Sequence, residues 1–295
     1  GCIRKRGFLD CWIDFLGTRP AVKQPPLLRW LLHVGLYQIF YMDRIPYSAA
    51  VNTSVELAKS SKLSRLSPVV NGLLRAAIRA KSSGMKLPVP ESKVERFSQN
   101  HSIPVWLAEQ LLNWTDFKNA EEIAIASNQI PPIDLRVNRL KTTPEDLKKQ
   151  LAHWGIKSTP IKGCSHGLRV ASGSGDVCKW PGYSEGLWSI QDSSSQWVAP
   201  LVGVEPGDIV LDACSAPGGK TTHLAELMND NGALWAVDRS HNRLKKVVEN
   251  KNRLGLKCIN VLAADVTSLV KNKHWHSFFN RILVDAPCSG LGTLA

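Results

Sequence analysis

Residues 209–220 read IVLDACSAPGGK, and this stretch decides the fold that we expect for the last third of the chain. A short apolar run ends in an acid, a loop of small residues follows, and residues 221–228 then have a helical pattern. This order of strand, loop and helix builds a cofactor site at the carboxyl end of a parallel strand. We therefore expect an α/β fold with a ligand site at this loop.

A second strand that ends in an acid follows at the spacing that such a site needs. Residues 233–237 are apolar and lead to Asp238, whose carboxylate is placed to bind both hydroxyls of a ribose. Two further apolar runs predict strands that lead to Asp265 and Asp285, and Asp265 is suited to receive the exocyclic amine of an adenine. With Asp212, these acids would share one rim of the sheet. Any one of them could simply cap the next helix, but four in register favour a nucleoside cofactor.

The end of the loop, Gly219-Lys220-Thr221, also fits the phosphate-binding loop of a nucleoside triphosphatase. The first glycine of that pattern would fall at position 214, which is Cys214 here. A dinucleotide fingerprint of the form GxGxxG is absent from the loop as well. Small residues let the backbone approach a compact ligand closely, without a pyrophosphate to hold. These features favour S-adenosyl-L-methionine over ATP or NAD, and a triphosphatase stays the weaker alternative.

Two motifs in combination resemble a known family. They are ACSAPGGK at residues 213–220 and DAPCSG at residues 285–290. On these motifs the chain resembles the Sun/Nop2 family of RNA cytosine-5 methyltransferases, and within it the Sun/RsmB type that modifies bacterial small-subunit (16S) rRNA. Residues 28–38 resemble the NusB-like helical domain fused to such enzymes, and similarity is also present at residues 135–138 and 191–196. The resemblance therefore covers nearly the whole chain.

The resemblance implies which residues hold S-adenosyl-L-methionine. It implies that Asp238 binds the ribose and that Asp265 binds the adenine. Asp285 matches the acid of the family's fourth motif. The cofactor loop falls on Cys214, Ser215, Ala216, Pro217, Gly218, Gly219 and Lys220. No metal ion is expected at the site.

The resemblance also implies catalysis through a cysteine adduct. Carbon 5 of cytosine is a poor nucleophile until a thiolate adds to carbon 6; carbon 5 then takes the methyl group, a base removes its proton, and the thiol leaves. The family's nucleophile lies in a Thr-Cys-Ser motif after the fourth strand, and this chain contains no Thr-Cys pair. Cys288 matches the family's other cysteine, which has a supporting role in proton removal or product release. Attack by Cys288 itself stays open, as does the interpretation of Cys288 as an inert thiol.

Both ends of the chain depart from the family pattern. A complete sheet of this class has seven strands, whereas four are recognisable here, and the chain starts without Met inside the NusB-like domain. We therefore expect a fragment of a longer enzyme, whose own activity is in doubt without the nucleophile motif. A non-catalytic RNA-binding or assembly protein with a residual cofactor fold is the alternative from another functional class.

The sequence predicts four parts. They are an all-α NusB-like RNA-binding domain (1–85), a helical connector (86–128), a small α/β module similar to an RNA-recognition fold (129–190), and a Rossmann-like methyltransferase domain with an incomplete sheet (191–295). Helical spacing of leucines at residues 28–39 and of apolar residues at 70–78 supports the first part. In the connector, Trp106 and Trp114 are expected to be core residues.

Most of the net charge of +12 lies in the N-terminal part of the chain, where the first 100 residues contain 16 Lys and Arg and 6 Asp and Glu. A basic front beside a near-neutral catalytic part favours an RNA partner, which the resemblance makes small-subunit rRNA. Charge alone would also fit an acidic protein partner. Arg75 and Arg79, which flank the apolar residues of the helix predicted at 70–78, are candidate RNA contacts. Arg136 and Asn138 are further candidates, for contact with RNA or with the catalytic domain, with structural hydrogen bonding as an equal alternative.

The cysteines and the hydropathy exclude several classes of protein. Seven cysteines without a CxxC pair argue against zinc ribbons and disulfide scaffolds, and they fit a reducing cytosol. No apolar run approaches the eighteen residues of a membrane helix. We therefore expect a cytoplasmic monomer that makes no contact with a membrane.

Overall fold

The computed structural model describes residues 1–170, 175–269, 271, 273–288 and 290. The chain divides into two compact units, Gly1–Gln129 and Ile130–Gly290. The finer four-part division predicted from the sequence stays a prediction. None of the helices in the described part of the chain is long and apolar enough to cross a membrane.

The described part of the first unit is helical. Its helices are α1 (Arg6–Leu16), α2 (Pro26–Tyr41), α3 (Tyr47–Lys59), α4 (Ser67–Ser82), α5 (Lys93–His101), α6 (Val105–Trp114) and α7 (Phe117–Asn128), with short 3-10 helices at Ala21–Lys23 and Ser64–Leu66. Leu28, Leu32 and Leu36 of α2 are buried in one core with Val70 and Leu74 of α4. The two helices predicted from apolar spacing are therefore confirmed.

A second, smaller core joins α5, α6 and α7. It contains Phe97, Leu107 and Leu111, which are all buried. Trp106 and Trp114 lie on the other side of α6, and their side chains are 53% and 66% exposed. The prediction that these two tryptophans are core residues is wrong, because the short helix buries only the stripe that carries Leu107 and Leu111.

The second unit alternates strands and helices. Its elements are β1 (Ile133–Val137), α8 (Pro144–His153), β2 (Ser158–Pro160), β3 (Gly167–Val170), β4 (Trp188–Ile190), α9 (Ser193–Gln196), α10 (Val198–Val202), β5 (Ile209–Asp212), α11 (Gly219–Leu227), β6 (Ala233–Asp238), α12 (His241–Leu254), β7 (Ile259–Ala263), α13 (Val266–Leu269) and β8 (Arg281–Leu283), with 3-10 helices at Val177–Lys179 and Lys273–Trp275. The strands form two separate sheets.

The first sheet is antiparallel and has the order β2-β3-β1-β4. Helix α8 covers it, and Thr143 caps this helix by accepting the Asp146 N–H at 3.2 Å. Leu135 and Val137 of β1 and Leu147 of α8 are fully buried in the core between them. This strand order is that of a ferredoxin-like module, in which a short 3-10 turn takes the place of the second helix. The predicted α/β module of RNA-recognition type is confirmed in architecture.

The second sheet is parallel and has the order β7-β6-β5-β8. The chain runs outward from β5 through β6 to β7 and then returns to the other side of β5 with β8. The order of the strands therefore reverses between β5 and β8, and ligands of such sheets bind beyond the carboxyl ends of the strands at this point. All strands predicted for this part of the chain are present, and the Rossmann-like fold is confirmed.

Helix α12 is bounded as its sequence predicts. Ser240 caps its start by accepting the Arg243 N–H at 3.4 Å. Gly255 ends it in a left-handed conformation with φ of 77°, which favours glycine. Leu244 and Val247 on its inner face are buried against the parallel sheet.

Candidate active site

The loop that follows β5, residues 213–218, is fixed to the strands on both sides of it. The Ala213 N–H donates to the Leu283 carbonyl of β8 at 2.9 Å, and the Ser215 N–H donates to the Val237 carbonyl of β6 at 2.9 Å. The loop therefore crosses the carboxyl edge of the sheet at the point where the strand order reverses.

Gly218 ends this loop and allows it to approach α12 closely. Its φ is 103°, and a Cβ atom added there would lie 3.1 Å from the Val247 Cα. From the same helix, Arg243 donates through Nη2 to the Ala216 carbonyl at 2.5 Å. A side chain at position 218 would push the loop away from α12, which explains the need for glycine in local physical terms.

Asp238, the predicted ribose-binding acid, lies buried at the end of β6 and holds the same loop. Its Oδ2 accepts the Ala216 N–H at 3.3 Å, and its Oδ1 accepts the Ser240 N–H at 2.9 Å. Arg243 lies 3.6 Å from Oδ2. One carboxylate thus links the cofactor loop to the start of α12.

Asp285 and Lys220 meet across the reversal point of the sheet. The Lys220 Nζ lies 2.7 Å from the Asp285 Oδ2, and about half of the Asp285 side chain is exposed. Cys288 follows three residues later and is exposed, with its Sγ accepting the Gly290 N–H at 3.4 Å. The part of this segment that includes Ser289 lies outside the described residues.

The thiol of Cys214 marks the point on which the acids converge. Its pKa is raised by partial burial first, and then by the negative charges of Asp238, Asp212 and Asp285. The structure therefore brings the ends of β5, β6 and β8 together around one loop residue.

Asp265 does not belong to that cluster of charges. Its Oδ1 accepts the Thr267 N–H at 2.9 Å and the Thr267 hydroxyl at 2.7 Å, and these bonds lower the pKa of its exposed carboxyl. Asp265 thus caps the short helix α13 in the described structure. Its assignment to an adenine amine stays a prediction.

Asp212 was not among the site residues assigned from the sequence, although it ends the strand that defines the site. Its Oδ2 accepts the Thr221 hydroxyl at 2.7 Å, whereas its buried Oδ1 has no hydrogen-bond partner among the described residues. Burial raises the pKa of the Asp212 carboxyl to about 6. The Ser215 hydroxyl is buried without a partner as well. Unsatisfied polar atoms in a small-residue loop fit a compact polar ligand such as S-adenosyl-L-methionine.

Arg136 of β1 holds the helix that begins at the cofactor loop. Its guanidinium is 1% exposed and pairs with Glu226 of α11 through Nε at 3.1 Å and Nη2 at 2.7 Å. Nη1 donates to the Gly219 carbonyl at 2.6 Å and to Gln191 at 2.5 Å, and Nη2 donates to the Thr222 hydroxyl at 3.0 Å. The side chain therefore makes five hydrogen bonds inside the second unit.

The prediction that Arg136 and Asn138 contact RNA is corrected by this geometry. Asn138 is fully buried, donates through Nδ2 to the Gly186 carbonyl at 3.0 Å, and accepts the Leu140 N–H at 3.0 Å. Neither side chain can reach RNA, because both are buried and hydrogen-bonded. Structural hydrogen bonding describes both side chains, and Arg136 also makes the other predicted contact, with the helix that follows the cofactor loop.

Arg75 and Arg79, the other candidate RNA contacts, are exposed on α4 in the first unit. Arg75 donates through Nε to the Asn71 side chain at 2.9 Å. Their proposed contact with RNA stays a prediction.

Glu226 is the structural residue that sequence reasoning missed. It is a lone acid in a helix whose neighbours Leu224, Ala225, Leu227 and Met228 are apolar. An acid within such a run is either exposed or paired, and its partner here lies 90 residues away in the chain. The position of Glu226 among apolar residues indicates that it is paired or exposed, but the sequence does not identify Arg136 as its partner.

Three family models match the chain. Residues 199–295 match the model described as 16S rRNA methyltransferase RsmB/F, residues 1–79 match the NusB family, and residues 103–177 match the ferredoxin-like domain of RsmF/B-like methyltransferases. The NusB match confirms the predicted nature of the first helices.

Curated relatives match over the full chain. It is 42% identical over 294 residues to the probable ribosomal RNA small subunit methyltransferase B of Synechocystis sp., covering 100% of this chain and 65% of the relative. It is 32% identical to the protein of the same name from Bacillus subtilis, covering 100% of this chain and 64% of the relative. The chain therefore spans about 65% of the length of such relatives.

Solved structures show the same fold. A methyltransferase homologue from Pyrococcus horikoshii is 29% identical, with a TM-score of 0.61 over 70% of this chain and 66% of its own. The crystal structure of PH0851 superposes with a TM-score of 0.84 over 99% of this chain and 65% of its own, at 24% identity.

The pairing of Arg136 with Glu226 predicts a large effect of breaking it. Arg136→Ala should lower the free energy of unfolding of the second unit by about 3–5 kcal/mol, because the Glu226 charge is then buried without its partner. Arg139→Ala, at an exposed arginine three residues further on, is the matched control and should have little effect. Replacing both partners, Arg136→Met with Glu226→Leu, should recover much of the loss. Equal stabilities of Arg136→Ala and Arg139→Ala in denaturant titrations would contradict the account.

The raised pKa of Asp212 predicts a pH dependence. Its stabilising contribution is complete below the ordinary pKa of 3.8 and is lost as the pH rises through about 6, because the folded chain must then hold a buried charge. Asp212→Asn should therefore flatten the fall in unfolding free energy over this range. Asp265→Asn should not, because the lowered pKa of Asp265 affects stability only below 3.8. Unfolding curves at several pH values check this, and the same slope in Asp212→Asn and wild type would contradict it.

Proposed function

Because the chain belongs to the RsmB/F family of 16S rRNA methyltransferases, we propose that it carries the cofactor-binding part of an enzyme that methylates carbon 5 of a cytosine in small-subunit rRNA. The observation that carries the proposal is the loop of residues 213–218, which hydrogen bonds fix at the ends of β5, β6 and β8, where Asp212, Asp238 and Asp285 lie. Acids from three strand ends around a small-residue loop provide the acceptors that a nucleoside with a charged amino-acid tail requires.

The chain's own residues can bind and orient such a cofactor. When bound, S-adenosyl-L-methionine supplies a methyl group on a positively charged sulfur. Asp238 would hold the ribose hydroxyls, the loop from Cys214 to Lys220 would contact the amino-acid tail, and Asp265 would hold the adenine amine. The unpartnered Oδ1 of Asp212 supports this assignment, since it offers an acceptor that the protein itself does not use.

Cytosine would lie beside Asp285 and Cys288, after β8. A cysteine thiolate of a Thr-Cys-Ser motif, which this chain does not contain, would add to carbon 6. Carbon 5 would then take the methyl group as the bond between that group and the cofactor sulfur breaks, and the thiolate would leave as a base takes the proton from carbon 5. We assign Cys288 the supporting role in the last step. Its exposed Sγ, held by the Gly290 N–H at 3.4 Å, supports a residue that meets substrate rather than one that fills a core. The ion pair of Asp285 with Lys220 orients this segment.

The basic first 100 residues support rRNA as the partner, with Arg75 and Arg79 as exposed candidate contacts. Binding through phosphates would fall steeply with salt concentration. A monomer in a reducing cytoplasm is part of the same proposal.

Methyl transfer from labelled S-adenosyl-L-methionine to unmodified small-subunit rRNA tests the proposal. Because the chain contains no Thr-Cys pair to supply the nucleophile, the assay uses the chain extended by a segment that bears a Thr-Cys-Ser motif, and we expect 5-methylcytosine as the labelled nucleoside after digestion and mass spectrometry. Asp238→Ala should weaken cofactor binding in calorimetry by about 5- to 150-fold, the cost of leaving ligand hydroxyls unpaired. Asp146→Ala removes an exposed carboxylate on α8 and should leave the affinity unchanged.

Three results would contradict parts of the proposal. A labelled nucleoside other than 5-methylcytosine would overturn the chemistry at carbon 5. Binding of S-adenosyl-L-methionine and RNA without transfer, even by the chain extended with the Thr-Cys-Ser motif, would favour the non-catalytic RNA-binding alternative. Binding of ATP in place of S-adenosyl-L-methionine would favour a triphosphatase.

A further inference from the structure

Trp197 is exposed between two neighbouring cavities of the second unit. It stands between α9 and α10, and 53% of its surface is exposed. It lines a cavity of about 610 Å³ on one side and a cavity of about 340 Å³ on the other. A large aromatic ring that is accessible from two cavities offers a stacking surface.

The ring is held in place by the backbone beneath it. A Cβ atom added at Gly163 would lie 2.6 Å from the Cζ2 of the indole, so the glycine loop packs directly against Trp197. Gly163 also has a φ of 80°, which favours glycine. One part of the indole is thus fixed by the protein while the rest remains open to a ligand.

Cationic side chains lie on both sides of the ring. Lys162 and Arg169 line the larger cavity, and Arg139 and His166 line the smaller one, whereas none of the described lining residues of either cavity is acidic. Lys162 and Arg139 have no ion-pair partner in the part of the chain that the structure describes. One unpaired cation is therefore available on each side of Trp197.

Three acids lie close to this surface: Glu145 of α8 interacts with His166 beside the smaller cavity, and the other two are already engaged by the protein. Asp134 accepts hydrogen bonds from Nε and Nη2 of Arg169, at 2.7 and 2.8 Å. Asp192 interacts with Arg169 at longer range and accepts the Ser194 N–H at 2.8 Å. Arg169 is largely neutralised by them, so the net positive charge of the surface comes from Lys162 and Arg139.

The inner wall of the smaller cavity holds a polar group without a partner. His223 of α11 is 7% exposed, and its Nδ1 has no hydrogen-bond partner among the described residues. Its pKa is lowered to about 2, by burial first and then by the charges of Arg136, His166 and Arg139. The neutral imidazole adds no charge to the inner wall of the smaller cavity, so the positive charge there comes from the arginines.

We propose that this surface binds single-stranded RNA, with one base stacked on Trp197 and the phosphates on either side neutralised by Lys162 and Arg139. An aromatic platform between cations is the arrangement that single-stranded nucleic acid requires. His223, which lines the smaller cavity, lies four residues after Gly219, about 6 Å further along α11. The inference rests on the proposed function for its ligand, and it names a substrate contact that the cofactor site does not include.

Fluorescence anisotropy with a labelled single-stranded RNA of about 12 nucleotides tests the stacking contact. Trp197→Ala should weaken binding by about 5- to 150-fold, the loss expected for one stacked base. Trp197→Phe should keep most of the affinity, because it retains an aromatic face. Trp154→Ala is the matched control, since Trp154 is 66% exposed in the same unit but lines neither cavity, and it should bind RNA like the wild type.

The salt dependence of binding tests the two cations. Arg139→Ala and Lys162→Ala should each reduce the slope of log affinity against log salt by about 0.7, the value for one phosphate of a single strand. Trp197→Ala should lower the affinity without changing the slope. Lys148→Ala on α8 removes a lysine that lines neither cavity and should change neither quantity.

The controls separate this inference from the proposed function. All variants should bind S-adenosyl-L-methionine with wild-type affinity, which also shows that they are folded. Wild-type RNA affinity in Trp197→Ala, or an equal loss in Trp154→Ala, would overturn the inference even if methyl transfer is observed. Trp197-dependent binding of poly-glutamate with no binding of RNA would overturn it in favour of a protein partner. Trp197-dependent RNA binding without methyl transfer would leave the inference standing and contradict only the proposed activity.

Discussion

The buried ion pair between Arg136 and Glu226 is the interaction on which the candidate site depends. It joins a strand of the ferredoxin-like module to the helix that begins at the cofactor loop. Removing two charges from water is costly, and only a complete set of hydrogen bonds offsets that cost. Arg136 has such a set, and one of its bonds goes to the Gly219 carbonyl in the first turn of the helix. The position of the loop is therefore determined partly by the neighbouring module.

A second arginine connects the same two parts, but it lies on a helix of the cofactor fold and reaches into the ferredoxin-like module. Arg253 of α12 donates to the carbonyls of Tyr183 and Trp188 in the module at 2.8 and 2.9 Å, and its guanidinium lies 4.2 Å from the centre of the Tyr183 ring. Helices on either side of the cofactor loop are thus each fixed to the module by a buried or half-buried cation. This arrangement explains why the module and the parallel sheet form one compact unit.

Local sequence predicted the elements of the fold well, because apolar runs, caps and glycines act over a few residues. The strands that precede Asp212 and Asp238 and the bounds of α12 are examples. The buried environment of Arg136 could not be predicted from local sequence. In β1 the polar residues Asp134 and Arg136 alternate with Leu135 and Val137, a pattern typical of a strand with one face in solvent. On that face Arg136 is in fact covered by α11 and Asp134 is bound by Arg169 and Ser193, which only the tertiary structure reveals. The same applies to the unpartnered oxygen of Asp212 and to the accessible ring of Trp197.

The most direct test of the account is hydrogen–deuterium exchange of the 295-residue chain with and without S-adenosyl-L-methionine. If the cofactor binds the loop that Arg136 positions, exchange should slow in peptides that cover residues 213–220 and in those around Asp238. Peptides of the first unit should be unaffected and serve as the internal reference. Unchanged exchange in the loop at saturating cofactor, or protection confined to another part of the chain, would contradict the account.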